Sequence, residues 1–351
     1  MERRSFLKRS SIISAAVITN SSEILARDQS KLSIPQKTKP KRLKVGDTIG
    51  IIAPGGYITQ DDLDKSIVNI EKLGLKPYFT ENVLNRNGYL GGTDIHRSDD
   101  VNHMFNNDKV DGIICARGGY GCNRILPMLD YNAIKANPKV LVGYSDITAL
   151  HNAIYAKTGL ATFHGPVATS TFNDFSMNNF INVVMEPKDK YVFHHSDDYK
   201  NGGDYEIYTI REGKAVGELI GGNLRIIATL PGTPYDVDFK DKILFLEEID
   251  EKPYRIDRML TELLLAGKLQ QVAGIALGVF TKCDQKVGSQ KGELTFSLKE
   301  VLFDRLYDLG VPVIYGLSFG HIENKYTLPF GIKAKLDVMA QTITLEEPAV
   351  V

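Results

Sequence analysis

Three observations predict an α/β protein built from two domains. The first half of the chain alternates short apolar runs with segments of helical periodicity, which is typical of a parallel sheet covered by helices on both faces. The second half mixes helix patterns with strand patterns, which favours a mixed α/β domain. The chain has 351 residues, of which 43% are hydrophobic, and this is enough for more than one sizeable core.

The elements of the first half begin with a buried strand. The apolar run Thr48–Ala53 stops at Pro54-Gly55-Gly56, which is typical of a turn. Apolar residues then recur at helical spacing from Leu63 to Leu73, and Gly74 is a natural helix stop. Further strands are predicted at residues 76–83, 110–116 and 139–144, and further helices up to Met128 and at residues 146–157 and 172–186.

The second half follows a polar, irregular stretch at residues 191–203, where we expect the domain boundary. The alternation of apolar and polar residues from Lys333 to Leu345 predicts edge strands. The other predicted elements are strands at residues 205–210, 242–246, 272–280 and 312–317, and helices at residues 255–267 and 296–309. The predicted domains are an N-terminal domain at residues 44–168, a connecting segment at residues 169–204 and a C-terminal domain at residues 205–346.

The first 35 residues are interpreted as an export signal and linker outside the folded domains. Arg3 and Arg4 are followed by a spacer residue, Phe, Leu and Lys, which resembles a twin-arginine export signal. The apolar run after them, residues 12–18, is too short to span a bilayer. Residues 29–43, with two prolines and several lysines, have the composition of a linker. We therefore expect a periplasmic or otherwise exported protein with no stable membrane anchor after signal removal.

Charge and cysteine content exclude several classes of protein. The formal net charge is −1, whereas a nucleic-acid-binding protein normally carries a basic patch, so no nucleic-acid partner is expected. The three cysteines do not provide an even-numbered disulfide framework, and their spacing is not that of a zinc site. No cofactor or metal is expected.

A serine stands where a predicted strand meets a predicted helix. In Leu141–Thr148 the apolar run stops at Ser145 and the helix begins there, a turn that projects a hydroxyl at the carboxyl edge of the sheet. The backbone N–H groups of the helix start point outward at the same place and could hold an oxyanion. Two features favour a structural interpretation: Ser145 could simply cap the helix, and Ile147 replaces the last glycine of Gly-x-Ser-x-Gly.

Four other apolar runs end in polar or glycine residues. Arg117–Gly121 is glycine-rich and could approach a ligand closely, cradle a phosphate or merely form a tight turn. Glu247 and Glu248 end a second apolar run, where they could be functional or paired with the arginines of Tyr254–Arg258. Among the seven histidines, His321 and His164 directly follow apolar strands and are the best candidates for a base.

Taken together, these sequences resemble the LD-carboxypeptidase family of serine peptidases, which includes the murein tetrapeptide carboxypeptidases. The similarity runs from Val45 to Lys335, with the motifs in the family's order and approximate spacing. The motifs are Arg117–Gly121, Gly143–Asp146, Leu246–Glu247, Tyr254–Arg258 and Gly320–His321. The resemblance implies a flavodoxin-like parallel-sheet N-terminal domain and a β-rich C-terminal domain with the site between them.

The resemblance also implies a catalytic triad of Ser145, Glu247 and His321. A serine hydroxyl is a poor nucleophile until a base takes its proton, and His321 would be that base and later the acid that protonates the leaving amine. Glu247 would hold the imidazole in the correct tautomer. The expected reaction removes the terminal D-alanine of a murein tetrapeptide, so the expected partner is a muropeptide substrate. Family members are often dimers, which makes a homodimer an expectation.

Four further residues are candidates for binding rather than chemistry. The backbone N–H groups of Gly119 and Asp146 are candidates for the oxyanion hole. Arg117 is a candidate for the substrate's free carboxylate, since a guanidinium can hold a carboxylate in two places, although a structural salt bridge would also explain it. Asn223, in Gly221–Leu224, is expected to line the cleft.

Two other functions remain open at this stage. A related subgroup with the same triad hydrolyses peptide–nucleotide antibiotics of the microcin C type and uses an aromatic platform for the base; the export signal and the absence of Trp disfavour it. A non-enzymatic binding protein could use the same scaffold, because fold does not fix function. A binding protein has no need for Ser145 and His321 to lie close together. The distance between these two side chains therefore discriminates between an enzyme and a binding protein.

Overall fold

The computed structural model describes residues 36–284 and 295–351. The predicted export signal and the first part of the predicted linker lie outside the described residues. Within the two described stretches, no helix is long and apolar enough to cross a membrane.

The described residues form fourteen strands and nine α-helices. The strands are β1 (Thr48–Ile52), β2 (Lys76–Tyr78), β3 (Gly112–Cys115), β4 (Val140–Gly143), β5 (Phe163–His164), β6 (Tyr191–Phe193), β7 (Tyr208–Arg211), β8 (Lys214–Asn223), β9 (Ile243–Ile249), β10 (Gly274–Thr281), β11 (Val313–Gly320), β12 (Leu328–Pro329), β13 (Lys333–Asp337) and β14 (Thr342–Leu345). The helices are α1 (Gln60–Lys72), α2 (Asp94–Asn106), α3 (Cys122–Ile125), α4 (Tyr131–Ala136), α5 (Thr148–Thr158), α6 (Asp174–Phe180), α7 (Leu224–Ala228), α8 (Pro253–Leu265) and α9 (Leu298–Leu306).

The first sheet has six strands in the order β12-β5-β4-β3-β1-β2. Strands β1 to β5 are parallel, and their order is that of a flavodoxin-like sheet, which confirms the predicted fold class. Strands β3 and β4 are buried along their whole length, as expected for a parallel sheet covered on both faces. The short strand β12, from the far end of the chain, pairs antiparallel with β5.

The second sheet has eight strands in the order β6-β14-β13-β8-β9-β10-β11-β7. Its centre, β8 to β11, is parallel, and antiparallel strands extend it on both sides. Because β9, β10 and β11 are neighbouring parallel strands, their carboxyl ends lie at the same end of the sheet. Glu247 and Gly320, the residue before His321, lie at these carboxyl ends.

Helix α5 connects the two sheets. It follows β4 of the first sheet directly, and its residues Ala149 and Ala153 are fully buried. The Thr148 hydroxyl at its start accepts a hydrogen bond of 2.9 Å from the backbone N–H of Asn223, the last residue of β8. The start of the helix that follows Ser145 is thus fixed to the sheet that carries Glu247.

Several boundaries in the first half differ from the predictions. Strand β2 ends at Tyr78 and not at Val83, because Glu81–Leu84 form a 3-10 turn whose start is capped by the Thr80 side chain. The helix predicted up to Met128 ends at Ile125 and continues as a 3-10 turn, in which a proline lacks the N–H that an α-helix needs.

Two segments predicted to be irregular are ordered parts of the fold. The linker prediction is wrong for residues 36–43, where Leu43 is buried and the Thr38 N–H donates to the Gly159 carbonyl. The polar stretch at residues 191–203 begins with strand β6. In both cases long-range pairing overrides a local composition that is typical of loops.

The two strands predicted to be edge strands at the C-terminus are not edges. Strand β13 lies between β8 and β14, and β14 pairs with β6, so the edges of this sheet are β6 and β7. Alternation of apolar and polar residues identifies the buried face of a strand but does not give the number of its neighbours.

The longest strand, β8, was not predicted. Its sequence contains three glycines, which weaken a strand pattern. A Cβ at Gly221 would overlap the backbone of Phe245 on the neighbouring strand, so this glycine is required for close packing of β8 on β9.

Candidate active site

Ser145 occupies a strained turn at the end of β4. Its φ is 64°, in the left-handed region that non-glycine residues rarely adopt. Ser145–Ile147 form a 3-10 turn that leads into α5. The cap position of this turn is Tyr144 and not Ser145, and the turn has no side-chain cap. Such strain persists only where the surrounding structure imposes it, and it is typical of functional sites. The predicted interpretation as a mere helix cap is therefore wrong.

The three residues predicted to form a triad are joined by hydrogen bonds. The distance from Ser145 Oγ to His321 Nε2 is 3.0 Å, and the distance from His321 Nδ1 to Glu247 Oε2 is 2.7 Å. These distances are within hydrogen-bond reach, so the imidazole can accept the serine proton while the carboxylate holds its other nitrogen. The arrangement is competent for nucleophilic acyl transfer.

The two adjacent carboxylates of β9 point to opposite sides, as strand geometry requires. Glu247 is fully buried and contacts His321. Glu248 instead accepts hydrogen bonds of 2.9 Å from the Asn223 side chain and 2.8 Å from the Arg225 backbone. The alternative that arginines of the following helix pair with these carboxylates is wrong, because Arg255 pairs with Glu251.

Electrostatics link His321 and Glu247. Burial alone would lower the pKa of His321, but the charge of the Glu247 carboxylate and its hydrogen bond raise that pKa above the ordinary value. Burial alone would raise the pKa of Glu247, and His321 lowers it below its ordinary value by the same two effects. The pair therefore favours an ionised carboxylate and stabilises the imidazolium that forms when the serine loses its proton.

His164, the other candidate base, lies behind the site. It is fully buried in β5, its ring is 6.1 Å from that of Tyr144, and burial lowers its pKa to about 4. Neither ring nitrogen has a hydrogen-bond partner among the described residues. It remains neutral at physiological pH and is not bonded to Ser145.

The glycine-rich loop Arg117–Gly121 packs directly against the serine. A Cβ at Gly118 would lie 3.0 Å from the Cβ of Ser145, so glycine permits this close approach. The Gly118 carbonyl accepts a hydrogen bond of 2.8 Å from the Gly56 N–H, which ties the loop to the turn after β1. Gly119 is the next residue of this loop, so its N–H stays a candidate oxyanion donor.

The backbone N–H and the side-chain carboxylate of Asp146 have different roles. As the second residue of the 3-10 turn, it has a backbone N–H with no intrahelical acceptor, which leaves that N–H available to a ligand. Its buried carboxylate accepts a hydrogen bond of 2.8 Å from the Cys122 N–H, and burial raises its pKa. The side chain therefore fixes the start of α3 relative to Ser145.

The predicted binding residues Arg117 and Asn223 differ in exposure. Arg117 is exposed and lines a cavity of about 480 Å³ with Tyr57, Tyr89 and Tyr120. Among the described residues it forms no ion pair, so the alternative of a structural salt bridge has no support. Asn223 is buried, caps α7 and donates to Glu248, so it supports the carboxylates of β9; contact with a substrate stays a prediction.

Two residues that the sequence did not single out are prominent in the structure. Lys325 is 5% exposed, and its ammonium lies 5.0 Å from the centre of the Tyr144 ring. Arg97 is fully buried and donates hydrogen bonds to the carbonyls of Pro54 and Gly121. Neither lies in a recognisable motif, and both have polar or exposed neighbours in the chain, so no signal in the sequence distinguishes them from ordinary surface cations.

Comparison with known proteins gives the family. The profile of the LD-carboxypeptidase N-terminal domain matches residues 49–165, and that of the LD-carboxypeptidase C-terminal domain matches residues 216–336. The chain is 38% identical to a protein of Bacillus subtilis named probable murein peptide carboxypeptidase, over 88% of this chain and 94% of that protein. It is 31% identical to the murein tetrapeptide carboxypeptidase of Pseudomonas aeruginosa, over 82% of this chain and 92% of that protein.

A third relative is named for a different function. The chain is 30% identical to the microcin C7 self-immunity protein MccF of Escherichia coli, over 87% of this chain and 94% of that protein. A solved structure of MccF in complex with aspartyl sulfamoyl adenosine matches with a TM-score of 0.80 and 27% identity, over 90% of this chain and 100% of that chain. The profiles and relatives span both sheets and all three hydrogen-bonded residues, and the chain therefore belongs to the LD-carboxypeptidase family of serine peptidases.

Proposed function

We propose that this protein is a serine LD-carboxypeptidase that removes the terminal D-alanine from murein tetrapeptides. The observation that carries the proposal is the hydrogen-bonded chain from Ser145 through His321 to Glu247, in a protein whose relatives include a murein tetrapeptide carboxypeptidase. A binding protein would not need this chain of hydrogen bonds.

In the proposed mechanism the Ser145 hydroxyl attacks the carbonyl of the residue before D-alanine. His321 takes the hydroxyl proton and then gives it to the nitrogen of the departing D-alanine. Glu247 remains ionised and stabilises the imidazolium between these two transfers. A water molecule then hydrolyses the acyl-enzyme by the same proton transfers in reverse, which releases the shortened peptide and restores the serine.

The oxyanion of the tetrahedral intermediate would be held by the backbone N–H groups of Gly119 and Asp146. Both belong to segments that contact Ser145, and both are backbone groups, so no side-chain rearrangement is needed. One donor of this kind is worth about 2.7–4 kcal/mol of barrier lowering. Arg117, exposed beside the same loop, is available to a carboxylate of the substrate.

The experiment is mass spectrometry of defined peptides incubated with the purified protein. We expect release of D-alanine from L-Ala-γ-D-Glu-diaminopimelate-D-Ala or its lysine analogue, little release from the pentapeptide ending in D-Ala-D-Ala, and no inhibition by penicillin. The matched control is Ser145→Ala, which should lose about 10⁶-fold in turnover while keeping its thermal midpoint. Efficient, penicillin-sensitive cleavage of the pentapeptide would contradict the proposal.

Hydrolysis of an aminoacyl–nucleotide antibiotic is a second candidate, favoured by the structural match to MccF with a bound aspartyl sulfamoyl adenosine. The same assay tests it with aspartyl sulfamoyl adenosine as the substrate. Turnover of this compound with a kcat/KM above that of the tetrapeptide would reverse our preference.

We also propose that the protein is exported through its twin-arginine sequence. Arg3 and Arg4 with the following Phe6 and Leu7 support this, and an exported location would bring the enzyme to its murein substrate.

A further inference from the structure

A buried lysine lies beside the candidate active site. Lys325 belongs to the segment that connects His321 to β12, and it is only 5% exposed. Its backbone N–H donates to the Ser176 hydroxyl over 3.1 Å, which fixes the segment. Its ammonium faces the ring of Tyr144, the residue directly before Ser145, at 5.0 Å.

The Lys325 ammonium has no carboxylate partner. Among the residues that the structure describes, no ion pair involves it, although the charges of Glu247 and Glu323 act on it from a greater distance. Burial lowers its pKa to about 8, so it is still predominantly charged at neutral pH. A buried, unpaired charge normally costs several kcal/mol, and a protein that retains one beside its reactive groups is expected to use it.

The distance between the Lys325 ammonium and the imidazole is compatible with contact to the chain end of the substrate. The Tyr144 ring is 4.9 Å from the His321 ring, so the Lys325 ammonium lies no farther than about 10 Å from the imidazole. In the reaction, the leaving nitrogen lies about 3 Å from the imidazole. A carboxylate oxygen of the same residue lies roughly 3 Å from that nitrogen, and a cation bound to the oxygen lies roughly 3 Å farther away. A cation that binds this carboxylate is therefore expected within about 9 Å of the imidazole.

We propose that the Lys325 ammonium binds the carboxylate of the leaving C-terminal residue and thereby makes the enzyme a carboxypeptidase rather than an endopeptidase. The inference rests on the proposed function and adds a specificity-determining residue to it. Poor access of water strengthens a charge-assisted hydrogen bond, so one buried lysine suffices for this recognition.

Arg117 is the competing candidate for this carboxylate. It is exposed at the mouth of the cavity beside Tyr57 and Tyr120, where water and salt screen its charge. It can contact another acidic group of the stem peptide, but an exposed cation discriminates weakly between a charged and a neutral chain end. Arg117 is therefore the matched control for Lys325.

The experiment compares two substrates that differ only at the chain end: the tetrapeptide L-Ala-γ-D-Glu-diaminopimelate-D-Ala and its C-terminal amide. The readout is the ratio of kcat/KM for the acid to that for the amide. In Lys325→Met this ratio should fall by at least about 30-fold, which is typical for truncation of one partner of a buried charge pair. In Arg117→Met it should fall by less than about threefold.

Folding is checked by the thermal midpoint, which Lys325→Met should not lower, because it removes an unpaired buried charge. If that variant does not fold, Lys325→Gln is measured in the same way. The inference is overturned if the ratio stays at its wild-type value in a folded variant, including the case in which only the pH profile of kcat/KM shifts. It is also overturned if Arg117→Met causes the large fall. If the wild-type protein releases no D-alanine from the tetrapeptide, the proposed function itself fails.

Discussion

At the scale of single residues, the reactivity of the site depends on the environment of one imidazole. His321 receives a buried carboxylate on one nitrogen and the Ser145 hydroxyl on the other. The serine contributes strain as well as a hydroxyl, since its φ of 64° lies in the left-handed region that non-glycine residues rarely adopt. The residues on this hydrogen-bonded chain are therefore not interchangeable with their chemically similar neighbours.

The adjacent pair Glu247 and Glu248 tests this directly. Glu247→Gln should lower kcat by about 10⁴-fold, because an amide favours the wrong imidazole tautomer and does not stabilise the imidazolium. Glu248→Gln, the matched control on the opposite side of β9, should retain far more activity, since Glu248 contacts Asn223 and not His321. Steady-state kinetics on the tetrapeptide measure both. An inactive Glu248→Gln together with an active Glu247→Gln would contradict the assignment.

The pH dependence of the reaction follows from the pKa of His321. Only the neutral imidazole accepts the serine proton, so kcat/KM should fall as the pH drops through this pKa. Because Glu247 raises the pKa, we expect the midpoint of the acid limb above the ordinary value of 6.5. In Glu247→Gln burial dominates, and the residual activity should show a midpoint below that of the wild type. A midpoint that does not move would show that Glu247 does not set the charge of His321.

At the scale of elements, the site depends on two loops that are joined by hydrogen bonds to the buried side chain of Arg97. The turn after β1 and the loop before α3 both place carbonyls on Arg97, at Pro54 and at Gly121. Arg97 also bonds Asp94, which in turn pairs with Arg124. This arrangement fixes the loop that contains Gly119, and thus a potential oxyanion donor, relative to Ser145.

Removal of this support should cost both stability and turnover. Arg97→Met leaves the buried Pro54 carbonyl without its donor and removes one of the two N–H donors of the Gly121 carbonyl, so we expect a loss of about 1–3 kcal/mol in the free energy of unfolding and a lower kcat. Arg124→Met is the control, because its exposed side chain also pairs with Asp94 but should cost less than about 1 kcal/mol. Urea unfolding gives the first quantity and steady-state kinetics the second. Equal losses of stability in the two variants would mean that the hydrogen bonds of Arg97 to the two loops do not stabilise the fold.

At the scale of the whole molecule, the reactive groups come from distant parts of the chain. Ser145 follows β4 of the six-stranded sheet, whereas Glu247 lies in β9 and His321 follows β11 of the eight-stranded sheet. Strand β12 returns to the first sheet directly after the segment with His321 and Lys325. The geometry of the site is therefore determined by how the two sheets are packed, as well as by the identity of its residues.

The location of the molecule in the cell is tested at the same scale. Arg3→Lys together with Arg4→Lys should block export and leave the precursor in the cytoplasm, because the twin-arginine route requires both guanidinium groups. Cell fractionation with detection of the protein in each fraction measures this. An unchanged periplasmic fraction would show that these residues are not an export signal.

The sequence alone determined the fold class and the candidates for the chemistry. Parallel strands were recognisable because their apolar runs are short, local and bounded by glycine or proline, and Ser145, Glu247 and His321 each stand at the end of such a run. The resemblance to a known family then selected these three from the other serines, carboxylates and histidines. Local patterns of this kind can be read without knowledge of the three-dimensional structure.

Only the tertiary structure decided the features that depend on distant partners. Strand β8 could not be recognised in the sequence because of its glycines. Strands β13 and β14 pair with neighbouring strands on both sides, and alternation of apolar and polar residues does not specify this pairing. Arg97 and Lys325 became significant only when folding buried their charges beside residues far away in the sequence. Burial and pairing are properties of the packed chain, since the same lysine would be an ordinary solvated side chain on a surface loop.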